Sequence, residues 1–201
     1  MTQTIPKLTT FDEFIEWKPE HGRYELHRGA IVEIPNPTGK HSEIAGSLIA
    51  EFNFERRRLQ LPYFTPKECT IKLEDNTGYN PDAIVLDKQS VENNEARWNK
   101  ESVITRGDSI KIIIEVVSTN WRDDYAHKMT DYEALGIPEY WIIDYLGLGG
   151  NRYIGSPKQP TLSIYDLVDG EYQIKLFRGN TKIESATFPE LNLTAEQIFN
   201  G

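Results

Sequence analysis

Three polar residues interrupt apolar stretches of the sequence in ways that folding alone does not favour. Glu115 sits inside the run Ile112-Ile113-Ile114-Glu115-Val116-Val117. A carboxylate in such a strand is costly unless it is paired, protonated or bound to a cation. The ordinary alternative is a strand-end glutamate facing solvent. Asp82 follows Pro81 and precedes Ala83-Ile84-Val85-Leu86. Proline is tolerated at the start of a strand, so the aspartate is presented at a strand end, although Pro-Asp is also a common turn dipeptide. Lys128 falls between Tyr125, Met129 and Tyr132, which mark the inward face of a helix. Its ammonium is expected near the core or the lip of a cleft. The plainer alternative is a lysine lying along the surface and paired with Asp124, four residues earlier.

Taken together, the three suggest chemistry. Two carboxylates from adjacent strands can hold Mg²⁺ or Mn²⁺ through hard oxygen ligands, and the backbone carbonyl of Val116 can add another. A lysine beside them can orient or deprotonate an attacking water and stabilise developing charge. The cation polarises a phosphoryl oxygen. This is a minimal kit for phosphodiester hydrolysis.

The elements that must position these residues can be read from periodicity. Thr9 or Thr10 caps a short helix through Trp17, with Phe11, Phe14 and Ile15 on one face. Residues 23–34 read as a hairpin turning at Arg28-Gly29 and ended by Pro35 and Pro37. A helix over about 38–59 carries Ile44, Leu48, Ile49, Phe52 and Leu59 at helical spacing, and its Arg56-Arg57-Arg58 reads as a solvated end. Strands are expected near 63–65 and 68–73, with a turn at Asn76-Thr77-Gly78, then at 82–87. The polar stretch 88–109 is longer than most connections, which favours a functional loop or a hidden short helix. Its Arg97, Trp98, Lys100 and Arg106 form a basic, aromatic segment that could meet a nucleic acid or be a plain surface excursion. Residues 111–117 read as a strand covered on both faces. A helix over 121–135 and a strand over 139–145 complete a βαβ unit. Asp169-Gly170 turns a hairpin between 161–168 and 171–177, and 194–199 closes the chain as a helical turn.

The chain has 201 residues, enough to bury a full core as one domain over 1–201. One cysteine, Cys69, excludes a disulfide framework and a multi-cysteine zinc site. His41-Ser42-Glu43 matches the start of a zinc deaminase motif but lacks its paired cysteines. There is no P-loop and no dinucleotide fingerprint. With 22 basic and 31 acidic residues, net −9, the chain is not a coat for duplex DNA or an anionic membrane. Met1 to Pro6 carries no charged-then-apolar export signal, and no apolar run is long enough for a membrane helix, so a cytoplasmic protein is expected.

Pro81-Asp82, IIIEVVS with Glu115, a helix with Lys128 and Tyr132, and GIPEYWIID together resemble the PD-(D/E)XK nuclease superfamily. More closely they resemble its Uma-type restriction endonuclease family, as do YELHRGAIVEIP with Glu25 and the next helix with His41 near its start. The resemblance spans about 9–199. It implies a mixed α/β fold (α+β): a restriction-endonuclease-like core, a central mixed sheet flanked by helices, with β-hairpin additions at both ends. It further implies that Asp82 and Glu115 bind Mg²⁺ or Mn²⁺, that Glu25 assists, and that DNA is the substrate. The superfamily's lysine stands two residues after the acid, where this chain has Val117. The resemblance implies that Lys128 replaces it from the next helix.

Read from the residues alone, Glu25 alternates with Tyr24 and Leu26 and could simply face solvent. His41, near a helix N-terminus, could contact a phosphate or act as a surface cap. Asp144 reads as structural. A symmetric homodimer is a further expectation, since many enzymes that cut both strands are dimers. The rival reading is a catalytically inactive nuclease-fold binding module, and a third is an enzyme acting on another phosphate or sugar substrate.

Overall fold

The computed structural model describes residues 8–19 and 21–201. The stretch 1–6, considered above for an export signal, lies outside them. The elements in order are α1 (Phe11–Trp17), β1 (Tyr24–His27), β2 (Ala30–Glu33), α2 (Gly39–Arg58), β3 (Tyr63–Phe64), β4 (Thr70–Glu74), β5 (Thr77–Tyr79) and β6 (Ala83–Asp87). Then come α3 (Lys88–Asn94), α4 (Trp98–Glu101), β7 (Val103–Ile104), β8 (Ile110–Val116), a π-helical turn (Asp123–Lys128) running into α5 (Met129–Leu135), and β9 (Glu139–Asp144). The last are α6 (Asn151–Ile154), β10 (Thr161–Val168), β11 (Glu171–Phe177) and α7 (Ala195–Asn200). No helix among the described residues is long and apolar enough to cross a membrane.

Two sheets form the frame. One has the order β2-β1-β5-β4-β7, the other β11-β10-β9-β8-β6-β3. In the six-stranded sheet β8 and β9 are parallel, joined through the π-turn and α5, and β6, β10 and β11 add antiparallel neighbours. Strand periodicity divides β8 between two cores. Ile112, Ile114 and Val116 pack with Ile44, Leu48 and Phe52 of α2. Ile113 and Val117 pack on the opposite face with Tyr125, Tyr132 and residues of the five-stranded sheet such as Ile71 and Tyr79. By the same alternation Glu115 projects to the second face. A third cluster, Phe11, Phe14, Leu26 and Val103, seats α1 on the five-stranded sheet.

Both hairpins form where turn chemistry places them. Arg28 and Gly29 have φ of 49° and 85°, Asp169 and Gly170 of 53° and 86°, the left-handed pairs that a two-residue hairpin needs. The first helix is closed by a capping box between Thr10 and Glu13.

One expectation is corrected and one alternative is resolved. Thr77 and Gly78 are not in a turn; the turn is Asp75-Asn76, and both residues belong to β5. Gly78 is there for close approach, since a Cβ would lie 2.4 Å from the Phe11 ring. Of the two alternatives for 88–109, a functional loop or a hidden short helix, the second holds. The stretch contains α3, α4 and β7, and β7 pairs with β4 at the edge of the five-stranded sheet. Its apolar anchors, Val91, Val103 and Ile104, are buried, too sparse in sequence to announce an element.

Candidate active site

Asp82 and Glu115 come from neighbouring strands with the register expected of a shared site. Ala83 pairs with Ile114 across the antiparallel β6–β8 ladder, and the Asp82 N–H donates to Ile114 O at 3.1 Å. Asp82 thus stands beside Glu115 at the end of the ladder. Ile84 and Leu86, two and four residues on, pack into the Glu115-side core, so both carboxylates project to one face. Both line a cavity of about 310 Å³ that also takes in Glu25, His41, Asp124 and Lys128.

Lys128 is the centre of the charge network. Its side chain is buried rather than snorkelling, with the residue 7% exposed. The Nζ lies 3.0 Å from Glu115 Oε1, 3.4 Å from Glu25 Oε1 and 3.9 Å from Asp124 Oδ1, and 5.6 Å from the Tyr79 ring centre. Burial disfavours the ammonium, but the surrounding carboxylates prevail and hold its pKa well above the usual lysine value. The Asp124 pairing is therefore present but is the longest of three.

Glu25 does not face solvent; it is 3% exposed. Its alternation against Leu26 is real, but the second face of β1 meets the cavity. Its carboxylate accepts the Asn80 N–H at 2.9 Å and lies 2.9 Å from His27 Nε2. Asn80 also donates through Nδ2 to Tyr24 O, so the residue before Pro81 ties the first hairpin to the Asp82 strand. Burial opposes ionisation of Glu25, but Lys128, His27 and the Asn80 N–H hold its pKa down at about 2.

His41 is neither a surface cap nor exposed. Thr38 caps α2, its Oγ1 accepting the His41 N–H. The His41 ring is buried, with Nε2 3.1 Å from Asp82 Oδ2. The Val116 N–H donates to the same oxygen at 2.9 Å. A carboxylate only accepts, so Nε2 carries the proton in this contact. Nδ1 is buried and has no hydrogen-bond partner among the described residues. With Oδ2 doubly engaged, Oδ1 is the oxygen left for a ligand, with Arg23 Nη2 beside it at 3.5 Å. Burial works against ionisation of Asp82, but the His41 contact, Lys128 and the Val116 N–H hold its carboxyl below the usual aspartate value.

Glu115, 2% exposed, accepts the Tyr132 O–H at 2.9 Å. Burial, with Asp82, Asp124 and Glu25 nearby, pushes its pKa well above the carboxylate range despite Lys128. Burial and the carboxylates of Asp82, Glu25 and Asp123 raise Asp124 to about 7. Four carboxyl groups thus surround one ammonium, and burial with mutual repulsion raises two of them, Glu115 and Asp124, above the usual carboxylate range.

This donor set suits a hard divalent cation. Among the described residues no cluster of three or more His, Cys, Asp or Glu side chains is arranged as a ready metal cage. Mg²⁺ does not need one, since it takes one or two carboxylates and completes its shell with water and phosphate oxygens. Asp82 Oδ1 and Glu115 are the side-chain ligands that fit; Val116, which lines the cavity, is the backbone candidate.

Arg97 and Lys100 lie outside the cavity lining. The Arg97 guanidinium is paired with Asp12 and Glu101 and sits over the Phe11 ring at 5.3 Å. Lys100 is exposed on α4. Asp144 is structural: it is fully buried and accepts the N–H groups of Leu148 and Gly149 at 2.8 and 2.7 Å. Arg23 and Asn80 carry no sequence signal of their own; only Asp124, four residues before Lys128, was visible as a partner.

A mixed sheet flanked by helices, with two acids at the end of adjacent strands and a lysine from the following helix, defines a restriction-endonuclease-like protein. The fold recurs in a solved structure. The chain superimposes with a TM-score of 0.70 on the crystal structure of a "putative nuclease belonging to DUF820" from Anabaena variabilis, at 20% identity over 95% of this chain and 97% of that one. A family model described as "Uma2: Putative restriction endonuclease" matches residues 11–196, and the chain belongs to that family. No curated protein matches it.

Proposed function

We propose that the chain is a Mg²⁺- or Mn²⁺-dependent endonuclease that hydrolyses DNA phosphodiester bonds. The observation carrying this reading is the convergence of Glu25, Asp82, Glu115 and Lys128 on one cavity from a hairpin, two adjacent strands and a helix. Membership of a family named for restriction endonucleases supports it.

A bound Mg²⁺ or Mn²⁺ would act as a Lewis acid toward a phosphoryl oxygen and make water a better nucleophile. The protein's own residues do the rest. His41 and the Val116 N–H fix Asp82 so that Oδ1 faces the cavity. Tyr132 fixes Glu115 through its hydroxyl. Lys128 needs no reorganisation to present a positive charge where the phosphate's negative charge grows, and its N–H donors can orient the attacking water. Glu25 holds Lys128 in place alongside Glu115. Arg23, at the mouth, can meet a phosphate oxygen through the donors that Asp82 does not engage.

The test is cleavage of labelled single-stranded, duplex and branched DNA with Mg²⁺ or Mn²⁺. Wild type should cut, while Asp82→Asn, Glu115→Gln and Lys128→Met should each lose at least about 100-fold in rate. Full activity in Glu115→Gln would overturn the mechanism. Metal binding without cleavage of any substrate would leave a non-catalytic module.

A further inference from the structure

Arg122, Arg152 and Lys158 are exposed and form no ion pair with any described residue. Arg58, Arg97 and Arg106, by contrast, are each neutralised by carboxylates. The three unpaired cations sit over aromatic rings instead. Arg122 Cζ is 4.5 Å from the centre of the Trp121 ring and Arg152 Cζ is 4.6 Å from that of Tyr153. Lys158 Nζ is 5.9 Å from the Trp121 ring. The two rings are themselves neighbours, with centroids 6.3 Å apart, and Tyr153 stacks on buried Tyr125 at 4.9 Å. Gly150 allows this, since a Cβ there would come within 3.0 Å of the Trp121 ring.

The cluster borders the cavity. Asn120, which precedes Trp121, and Leu148 both line it, and Lys158 Nζ donates to Leu148 O at 3.1 Å. A carboxylate partner would cancel the charge of an arginine. A ring restrains the guanidinium without cancelling it and leaves N–H donors free for phosphate. In a chain with nine more acidic than basic residues, three unneutralised cations on packed rings beside the acidic cavity form a place for a polyanion to dock without being repelled.

We propose that Arg122, Arg152 and Lys158, held by Trp121 and Tyr153, form a platform for the phosphate backbone of a nucleic acid, delivering the strand to the cavity. The choice of occupant rests on the nuclease reading above. Phosphate recognition of this kind is independent of base sequence.

The test is fluorescence anisotropy with a short labelled DNA duplex and with its single strand, over a range of salt. The Asp82→Asn background prevents cleavage. The triple variant Arg122→Ala/Arg152→Ala/Lys158→Ala should bind at least about 10-fold more weakly, and its log K against log salt should be shallower by about 3 for the duplex, near 0.9 for each phosphate that is no longer neutralised. Arg56→Ala/Arg57→Ala, removing two other arginines outside the cluster, should bind like the parent. Unchanged affinity and salt slope in the triple variant overturn the platform, even if wild type cuts DNA. No binding of either DNA by the parent also overturns it. Platform-dependent binding in a wild-type protein that cuts nothing overturns the nuclease reading alone.

Discussion

Replacing Lys128 with methionine keeps the length and apolar stem of the side chain and deletes the ammonium. The charge removed stands 3.0 Å from Glu115 and 3.4 Å from Glu25. At an effective dielectric constant of about 20, one such pairing is worth roughly 5 kcal/mol before desolvation. Stranding the partner of a buried pair costs about 3–5 kcal/mol in practice. Glu115 can take refuge in its protonated form, so the lower end applies: about 3 kcal/mol near pH 8, or roughly 6–12 °C in melting temperature for a chain of this size. The sign with pH follows from the carboxylates. In wild type Glu25 is held at about 2, below its ordinary 4.5, and contributes stability above 4.5 that is lost as pH falls toward 2. Without Lys128 its folded-state pKa rises, with only His27 and the Asn80 N–H left to oppose burial, and Glu115 and Asp124 rise further. Groups raised in this way favour the folded state least at high pH, so the deficit of the variant should be largest near pH 8 and shrink toward about pH 5. Urea and thermal unfolding followed by circular dichroism across that range measures it. A deficit below about 1 kcal/mol that does not vary with pH is what an exposed lysine gives, and it would refute the buried network.

Three further outcomes are expected. Asp124 is raised to about 7 from 3.8, so the stability it permits is full below 3.8 and is lost as pH rises through 7; Asp124→Asn should therefore raise stability near pH 8 by on the order of 2 kcal/mol and leave it unchanged near pH 4. A variant less stable than wild type in alkali contradicts this. His41→Ala removes the donor that holds Asp82 Oδ2, and Mn²⁺ affinity by calorimetry should drop about 10–100-fold with the fold intact; equal affinity would show that His41 does not set the acid. Gly78→Ala should lower stability by about 1–3 kcal/mol through overpacking against Phe11, and a neutral urea midpoint would show that α1 yields instead.

Much of the site was legible because its residues violate local rules. Glu115 stands out because apolar residues flank it on both sides, and Asp82 because proline fixes where its strand begins. Lys128 falls on a face otherwise marked by Tyr125 and Tyr132. The two hairpins at Arg28-Gly29 and Asp169-Gly170 were legible because a two-residue turn demands positive φ. Glu25 was ambiguous for a physical reason. Alternation says that it opposes Leu26, but not that a lysine from a helix far later in the chain covers that side. His41 was misplaced as a surface cap because Thr38, not His41, satisfies the helix end, and because its Asp82 contact crosses from α2 to the end of β6. Gly78 was taken for a turn residue because glycine signals both turns and close approach. Residues 88–109 hid a strand because β7 is so short that it exists only by pairing with β4. The ring-held cations at Trp121 and Tyr153 stand on opposite sides of β9 in the sequence and meet only when the loop after that strand folds back.

That Asp82 and Glu115 bind a divalent cation is tested most directly by Mn²⁺ titration calorimetry of wild type and Asp82→Asn, with a short non-cleavable DNA present to complete the coordination shell. Saturable binding in wild type that is lost in the variant is the expected result. Indistinguishable isotherms for the two proteins would contradict it.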